Sequence, residues 1–162
     1  MTTLEAALPW EAETRDETET CDWGRRLAAL CPAGQRIRLV GDLGAGKTTF
    51  TRGLAAGLGA DPGEVHSPSY SLVHLYRDAT GRPVLYHVDL YRVEGAVDLE
   101  EIGLEDVFQS AVPAAVEWPE RLQGSDYQAG PGDLEVRLEV LGRHRRKLTV
   151  RRSPAGALGV RS

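Results

Sequence analysis

A chain of 162 residues is the size of one domain with a full hydrophobic core, and 41% hydrophobic with 27% charged residues is ordinary for a soluble globular protein. No apolar run approaches the ~20 residues that span a bilayer, and the acidic N-terminus lacks the basic-then-apolar layout of a secretory leader. The expectation is a cytoplasmic protein without a membrane partner. The net charge of -5 is unevenly spread: Glu11, Glu13, Asp16, Glu17 and Glu19 make the start acidic, and Arg143, Arg145, Arg146, Lys147 and Arg151 make the end basic.

In chain order, Thr14-Arg15-Asp16-Glu17 has capping-box spacing, with Thr18 and Thr20 as alternative caps. Trp23, Leu27, Leu30 and Cys31 then recur at helical spacing until Pro32 and Gly34 end the helix. Cys21 and Cys31, ten apart on it, do not share a face. They read as free packing residues in a reducing compartment. Gln35 to Val40 is a short β-branched and apolar run, a buried strand. Beyond a glycine loop, Phe50, Leu54 and Leu58 mark a second helix that stops at Gly59.

Asp61-Pro62-Gly63 marks a turn. Tyr70 to Tyr76 and Val84 to Tyr91 read as a hairpin closed by residues 78–83. Leu99 to Phe108 reads as a short amphipathic helix or two turns. Ala114 to Trp118 is an apolar strand halted by Pro119. Leu134 to Val140 and Lys147 to Arg151 alternate strictly, as a terminal antiparallel pair with one wet face. From Ser153 the tail is small and polar, and residues 153–162 are expected to fray. These elements predict a single α/β domain over 1–152. Because Gly41 to Thr48, between the first strand and the second helix, has the G-x-x-x-x-G-K-[ST] spacing, the expected architecture is a P-loop NTPase-like three-layer sandwich whose central sheet mixes parallel and antiparallel strands. The four histidines show no zinc-ligand spacing, so no zinc site is expected.

The chemistry concentrates at Gly41-Asp42-Leu43-Gly44-Ala45-Gly46-Lys47-Thr48, which fits G-x-x-x-x-G-K-[ST]. Glycines let the backbone bend around an anion and bring amide N–H groups close to it. Lys47 is suited to the β- and γ-phosphates and the Thr48 hydroxyl to Mg²⁺. The helix that follows offers its positive end to the same phosphates.

Turnover also needs a carboxylate near the metal and a group to orient the nucleophile. Asp89 and Glu117 end predicted strands, where α/β sites gather. By residue type alone, each acid fits a salt bridge or cap as well as a site. His66-Ser67-Pro68-Ser69-Tyr70 is a proline-fixed hydroxyl loop, suited to sensing a γ-phosphate as a switch does, or to an ordinary turn. The basic segment 143–147 suits RNA phosphates or an acidic partner. Lacking interleaved aromatic residues, it reads first as a solvated hairpin turn.

Four segments in this order, Gly41 to Phe50, Ser67-Pro68-Ser69-Tyr70, His87-Val88-Asp89-Leu90-Tyr91-Arg92 and Val116-Glu117-Trp118-Pro119, closely resemble the TsaE (YjeE) family. The likeness runs from about Thr20 to Trp118. It implies the ATPase subunit of the bacterial machinery that makes N6-threonylcarbamoyladenosine at position 37 of ANN-reading tRNAs. It further implies TsaB and TsaD as partners, with TsaC supplying the carbamoyl-adenylate, and tRNA met through the complex. ATPase activity would be weak alone and raised by partners, resetting the complex between rounds.

By the same resemblance, the ATP-binding segment is Asp42, Leu43, Gly44, Ala45, Gly46, Lys47, Thr48 and Thr49, with Thr20 near the nucleotide. Glu117 and Thr48 correspond to metal-associated groups, and Asp89 to a water-orienting or metal-supporting aspartate; Lys47, Asp89 and Glu117 are the candidate catalytic set. Arg92 and Trp118 match motif positions. The family's Ser-Pro-Thr is Ser67-Pro68-Ser69 here, so Ser69 keeps the switch hydroxyl without the stiffening methyl.

Two other classes fit the loop. A small-molecule kinase would need an acceptor pocket and an arginine-bearing lid, for which residues 143–147 are the candidate. A nucleotide-gated binding module would bind ATP without turning it over. A GTPase is disfavoured by the absence of an Asn-Lys-x-Asp segment.

Overall fold

A computed structural model describes residues 4–66, 72–93 and 96–153. Its elements are α1 (Leu4–Ala7), β1 (Trp10–Thr14), α2 (Glu17–Ala28), β2 (Arg36–Val40), α3 (Lys47–Gly57), β3 (Val73–Arg77), β4 (Pro83–Asp89), α4 (Ala96–Glu101), α5 (Leu104–Gln109), β5 (Ala114–Glu117), β6 (Leu134–Val140) and β7 (Arg146–Arg152). Short 3₁₀ turns cover Pro62–Glu64 and Pro119–Leu122. One seven-stranded sheet has the order β1-β7-β6-β2-β5-β4-β3. β6, β2, β5 and β4 run parallel, while β1, β7 and β3 pair antiparallel at the flanks. The expected mixed α/β sandwich is what the chain forms.

The strands sort their side chains by alternation. Ile37 and Leu39 of β2, with Val136, Leu138 and Leu148, pack against Leu27, Phe50 and Leu54 of α2 and α3. Val88 and Val116 face the other way, onto Leu99, Leu104 and Val107 of α4 and α5. The region read as one helix or two turns is two helices, because Gly103 at φ 77° caps α5.

Helices α2 and α3 approach backbone to backbone, which only glycine allows. A Cβ on Gly53 would lie 1.8 Å from the Cys21 carbonyl oxygen, and one on Gly24 2.3 Å from the Phe50 carbonyl oxygen. Helix propensity favours alanine over glycine by about 1 kcal/mol. Overpacking costs about 1–3 kcal/mol and occasionally more, and a contact this short with a backbone atom sits at the severe end. Gly53→Ala is therefore expected to lower stability by about 2 kcal/mol, or Tm by about 4–8 °C. Thermal unfolding followed by circular dichroism checks this, and an unchanged or raised Tm would mean that the helices part at little cost.

Two expectations are corrected, and one strand is added. The α2 cap is Asp16, whose Oδ1 accepts the Glu19 amide (2.8 Å), while Glu19 Oε2 accepts the Arg15 amide (2.7 Å). The capping box is thus centred two residues beyond Thr14, because Thr14 belongs to a strand. That strand, β1, was not foreseen in the acidic start; it covers the β7 edge of the expected β6–β7 antiparallel pair. Its Glu11 and Glu13 bridge Lys147 (3.0 Å) and Arg145 (2.8 Å), so the acidic start and basic end partly answer each other. Ser153 does not fray: it is buried and its amide donates to the Asp133 carbonyl (2.7 Å). Residues 154–162 lie outside the described residues.

Cys21 and Cys31 are free, and burial pushes the Cys31 thiol up to about 12, which favours its protonated form. No helix among the described residues is long and apolar enough to cross a membrane.

Candidate nucleotide site

The glycine loop runs from the end of β2 into α3, as its sequence order requires. Gly46 is the α3 N-cap at φ 106°, a left-handed conformation that disfavours any other residue, and no side chain caps the helix there. The first-turn amides of α3 are therefore open to an anion. Within the loop, the Ala45 amide donates to the Asp42 carbonyl (3.0 Å).

Lys47 is buried beneath the loop at 5% exposure. Its ammonium donates to the Gly41 carbonyl and stands 3.8 Å from the centroid of the Trp118 ring, a cation–π contact. Burial is the main cause pulling its pKa below the ordinary lysine value, opposed first by Glu117. An incoming anion would relieve that burial penalty by supplying a counter-charge. Trp118 holds its ring there from a left-handed backbone (φ 59°, ψ 49°), and Tyr91 packs on it at 4.9 Å.

The parallel register gathers the acids. Glu117 ends β5 opposite Leu39 of β2 and opposite Asp89, which ends β4. The Thr48 hydroxyl lies 3.4 Å from each Glu117 carboxylate oxygen. Glu117 Oε2 is also 2.6 Å from Nε2 of the fully buried His87, whose Nδ1 is 3.0 Å from the Tyr76 hydroxyl. With the Tyr76 O–H turned to Nδ1 rather than to the more distant His66 carbonyl (3.5 Å), Nε2–H donates to Glu117. His87 thereby fixes Oε2, and with it the carboxylate, while Thr48 lies equally close to both oxygens. Asp89 is 9% exposed, and its Oδ1 accepts the Tyr91 amide (3.0 Å).

These groups line a cleft of about 780 Å³. It takes in Leu43, Gly44, Gly46, Lys47, Thr48 and Thr49 of the loop region, together with Thr20, Asp89, Arg92, Glu117 and Trp118. Thr20 is fixed by its hydroxyl, which bonds that of Thr14 (2.8 Å) and the Asp16 carbonyl (3.3 Å). Two expected residues stand outside the lining. Asp42 is exposed and contributes its carbonyl to the loop's turn, and Ala45 is buried beneath it. Ser69 lies outside the described residues.

Residues missed in the sequence include His87, legible only as the i−2 neighbour sharing a strand face with Asp89. Arg143 and His144 of the β6–β7 turn and Arg146 at the start of β7, in the segment read as a candidate lid, also line the cleft. Segment 143–147 forms the expected hairpin turn, exposed at Arg143, His144 and Arg145, but Arg146 reaches the glycine loop, roughly 100 residues away in sequence, and donates to the Gly44 and Ala45 carbonyls. No local pattern announced this, because the contact depends on β6 pairing with β2.

A hydroxyl and a carboxylate side by side suit a hard, oxygen-seeking cation. Mg²⁺ takes one or two protein oxygens and completes its shell with water and phosphate. Among the described residues no group of three or more His, Cys, Asp or Glu could hold a metal by itself. The oxygen pair therefore fits a metal that arrives with phosphates.

The fold and this loop define a phosphate-loop α/β protein. The chain belongs to the TsaE family: the family model described as threonylcarbamoyl adenosine biosynthesis protein TsaE matches residues 14–148. It is 45% identical over 111 residues to the Synechocystis tRNA threonylcarbamoyladenosine biosynthesis protein TsaE, covering 66% of this chain and 68% of that one. The Bacillus subtilis protein of the same name is 36% identical over 144 residues, covering 83% and 87%. The crystal structure of Bacillus subtilis YdiB superposes with a TM-score of 0.68 at 28% identity, covering 90% of this chain and 87% of that one.

Proposed function

We propose that this protein is an ATP-binding, weakly ATP-hydrolysing subunit that serves threonylcarbamoylation of adenosine 37 in ANN-reading tRNAs, resetting a TsaB–TsaD complex between rounds. Membership in the TsaE family supports the pathway. The observation that carries the ATPase reading is the meeting of Thr48 with Glu117, 3.4 Å apart, beside the open amides of α3.

In this reading the α3 amides and Lys47 bind the phosphates, with Lys47 exchanging the Gly41 carbonyl for phosphate oxygen. Thr48 and Glu117 would hold Mg²⁺, which supplies charge neutralisation for the leaving phosphates. Glu117 is oriented by the His87 hydrogen bond. Asp89, at the end of the adjacent strand, would orient water in this reading. Trp118 gives Lys47 an aromatic surface when no anion is present. Lys47→Ala is expected to weaken ATP binding by about 10- to 100-fold, the worth of one charge-assisted hydrogen bond of about 1.5–3 kcal/mol. Titration calorimetry measures it, and unaltered affinity and turnover would overturn the phosphate-loop assignment.

The deciding experiment is phosphate release from ATP, by the protein alone and then with TsaB, TsaD and tRNA. Slow turnover that rises with the partners bears out the reading. ATP binding without turnover in any mixture favours a nucleotide-gated binding module. A kinase is kept in view by one observation, that Arg143 and Arg146 line the cleft; ATP consumption that depends on an added acceptor rather than on partners would favour it.

A further inference from the structure

We propose that Arg146 is a positioning residue that presets the glycine loop for its anion. This inference rests on the nucleotide reading of the cleft. The guanidinium has five N–H groups in a rigid planar fork, and four hydrogen bonds run from it to backbone carbonyls. Nε donates to Ala45 (3.0 Å) and Nη2 to Gly44 (3.0 Å), while Nη1 donates to Gly142 and Arg145 (both 2.9 Å). One side chain thus ties two loop carbonyls to two carbonyls of the β6–β7 turn. That turn is closed in its own right by the Leu141 amide donating to Arg145 (3.0 Å), and β7 is held on both sides by β1 and β6. The loop is fastened to a rigid sheet margin.

The consequence follows from peptide geometry. In a trans peptide the C=O and the next N–H point in opposite directions. Holding the Ala45 carbonyl on Arg146 turns the Gly46 amide away from the guanidinium, and Gly46 is the residue that caps α3 beside Lys47. That amide has no acceptor among the described residues. A loop with three glycines otherwise loses much conformational freedom when it closes around a ligand. Ordering it beforehand removes that cost from binding. With four of its donors occupied, Arg146 acts through the loop and not as a charge delivered to a phosphate.

The test uses the full chain and two variants, Arg146→Lys, which keeps the charge and loses the fork, and Arg146→Gln, which loses both. Two quantities are read: the Kd for Mg·ATP by titration calorimetry, and amide hydrogen exchange without nucleotide. Both variants are expected to bind ATP at least 10-fold more weakly. Exchange is expected to speed up at the Ala45 amide, whose bond to Asp42 closes the loop, while core amides of β6 and β7 such as Leu138 and Leu148 keep their protection. General loosening would instead raise exchange throughout the sheet. ATP affinity within twofold of the wild type in either variant, full rescue by lysine, or an unchanged Ala45 amide overturns the proposal. If the wild-type protein binds no ATP, the nucleotide reading fails instead, and exchange at Ala45 still decides whether Arg146 orders the loop.

Discussion

Glu117→Ala is expected to abolish partner-stimulated ATP turnover while largely sparing nucleotide binding. The loss should be on the order of 100-fold or more, the scale seen when one preorganised electrostatic group is taken from a site. The asymmetry follows from position. The phosphates would be gripped by the α3 amides and by Lys47, whose ammonium donates to the Gly41 carbonyl and not to Glu117. The carboxylate faces Thr48 at 3.4 Å, where the metal would sit, and it is 3% exposed, so no water readily replaces it. Removing it also leaves the buried His87 Nε2 without its 2.6 Å partner, and a stranded buried donor costs about 1–3 kcal/mol. Glu117→Gln separates the two effects, since its amide oxygen still accepts from His87 while the charge is gone. Both variants should lose turnover, and only the alanine should lose stability. Phosphate release with TsaB, TsaD and tRNA, paired with thermal unfolding, makes the measurement; undiminished turnover in either variant would remove Glu117 from the site.

Asp133→Ala is expected to be the most destabilising single change outside the cleft. Arg38 lies on the central strand β2 at 5% exposure, and its Nε and Nη2 donate to Asp133 Oδ2 (3.0 and 2.9 Å). Arg36 Nε donates to Oδ1 (3.0 Å), and the Gly130 amide to Oδ2 (3.1 Å), so both oxygens are satisfied. Burial pulls the Arg38 guanidinium below its ordinary pKa, and Asp133 opposes that pull. Remove the carboxylate and a buried cation remains without its counter-charge, a loss of about 3–5 kcal/mol. For a chain of this length that lowers Tm by roughly 6–20 °C. The double variant Arg38→Met with Asp133→Leu should recover much of it, because an apolar pair strands no charge. Calorimetric unfolding of the three proteins decides the matter. A single variant no less stable than the wild type would show that the pair contributes little.

The glycine loop and its flanking strand and helix were legible because a local spacing encodes a local backbone path. Phe50, Leu54 and Leu58 mark the helix face, and Gly44 and Gly46 supply the positive φ values that the turn demands. The strand-end acids were legible as positions, since an apolar run that stops at Asp89 or Glu117 announces itself. Their partnership was not, because it depends on β4, β5 and β2 lying side by side in parallel. Nor was β1: alternate burial of Trp10 to Thr14 is masked by the Glu11 and Glu13 charges that face solvent and pair with β7.

The sequence by itself determined the phosphate loop, the helix it opens, the alternating C-terminal strands and the family resemblance, all carried by residues near one another in the chain. Only the tertiary structure decided that His87 and Tyr76 hold Glu117 and that Arg146 grips the loop from about 100 residues away. The physical reason is that side-chain spacing reports the local backbone period, whereas strand order and register are set by how the whole chain buries its two apolar faces.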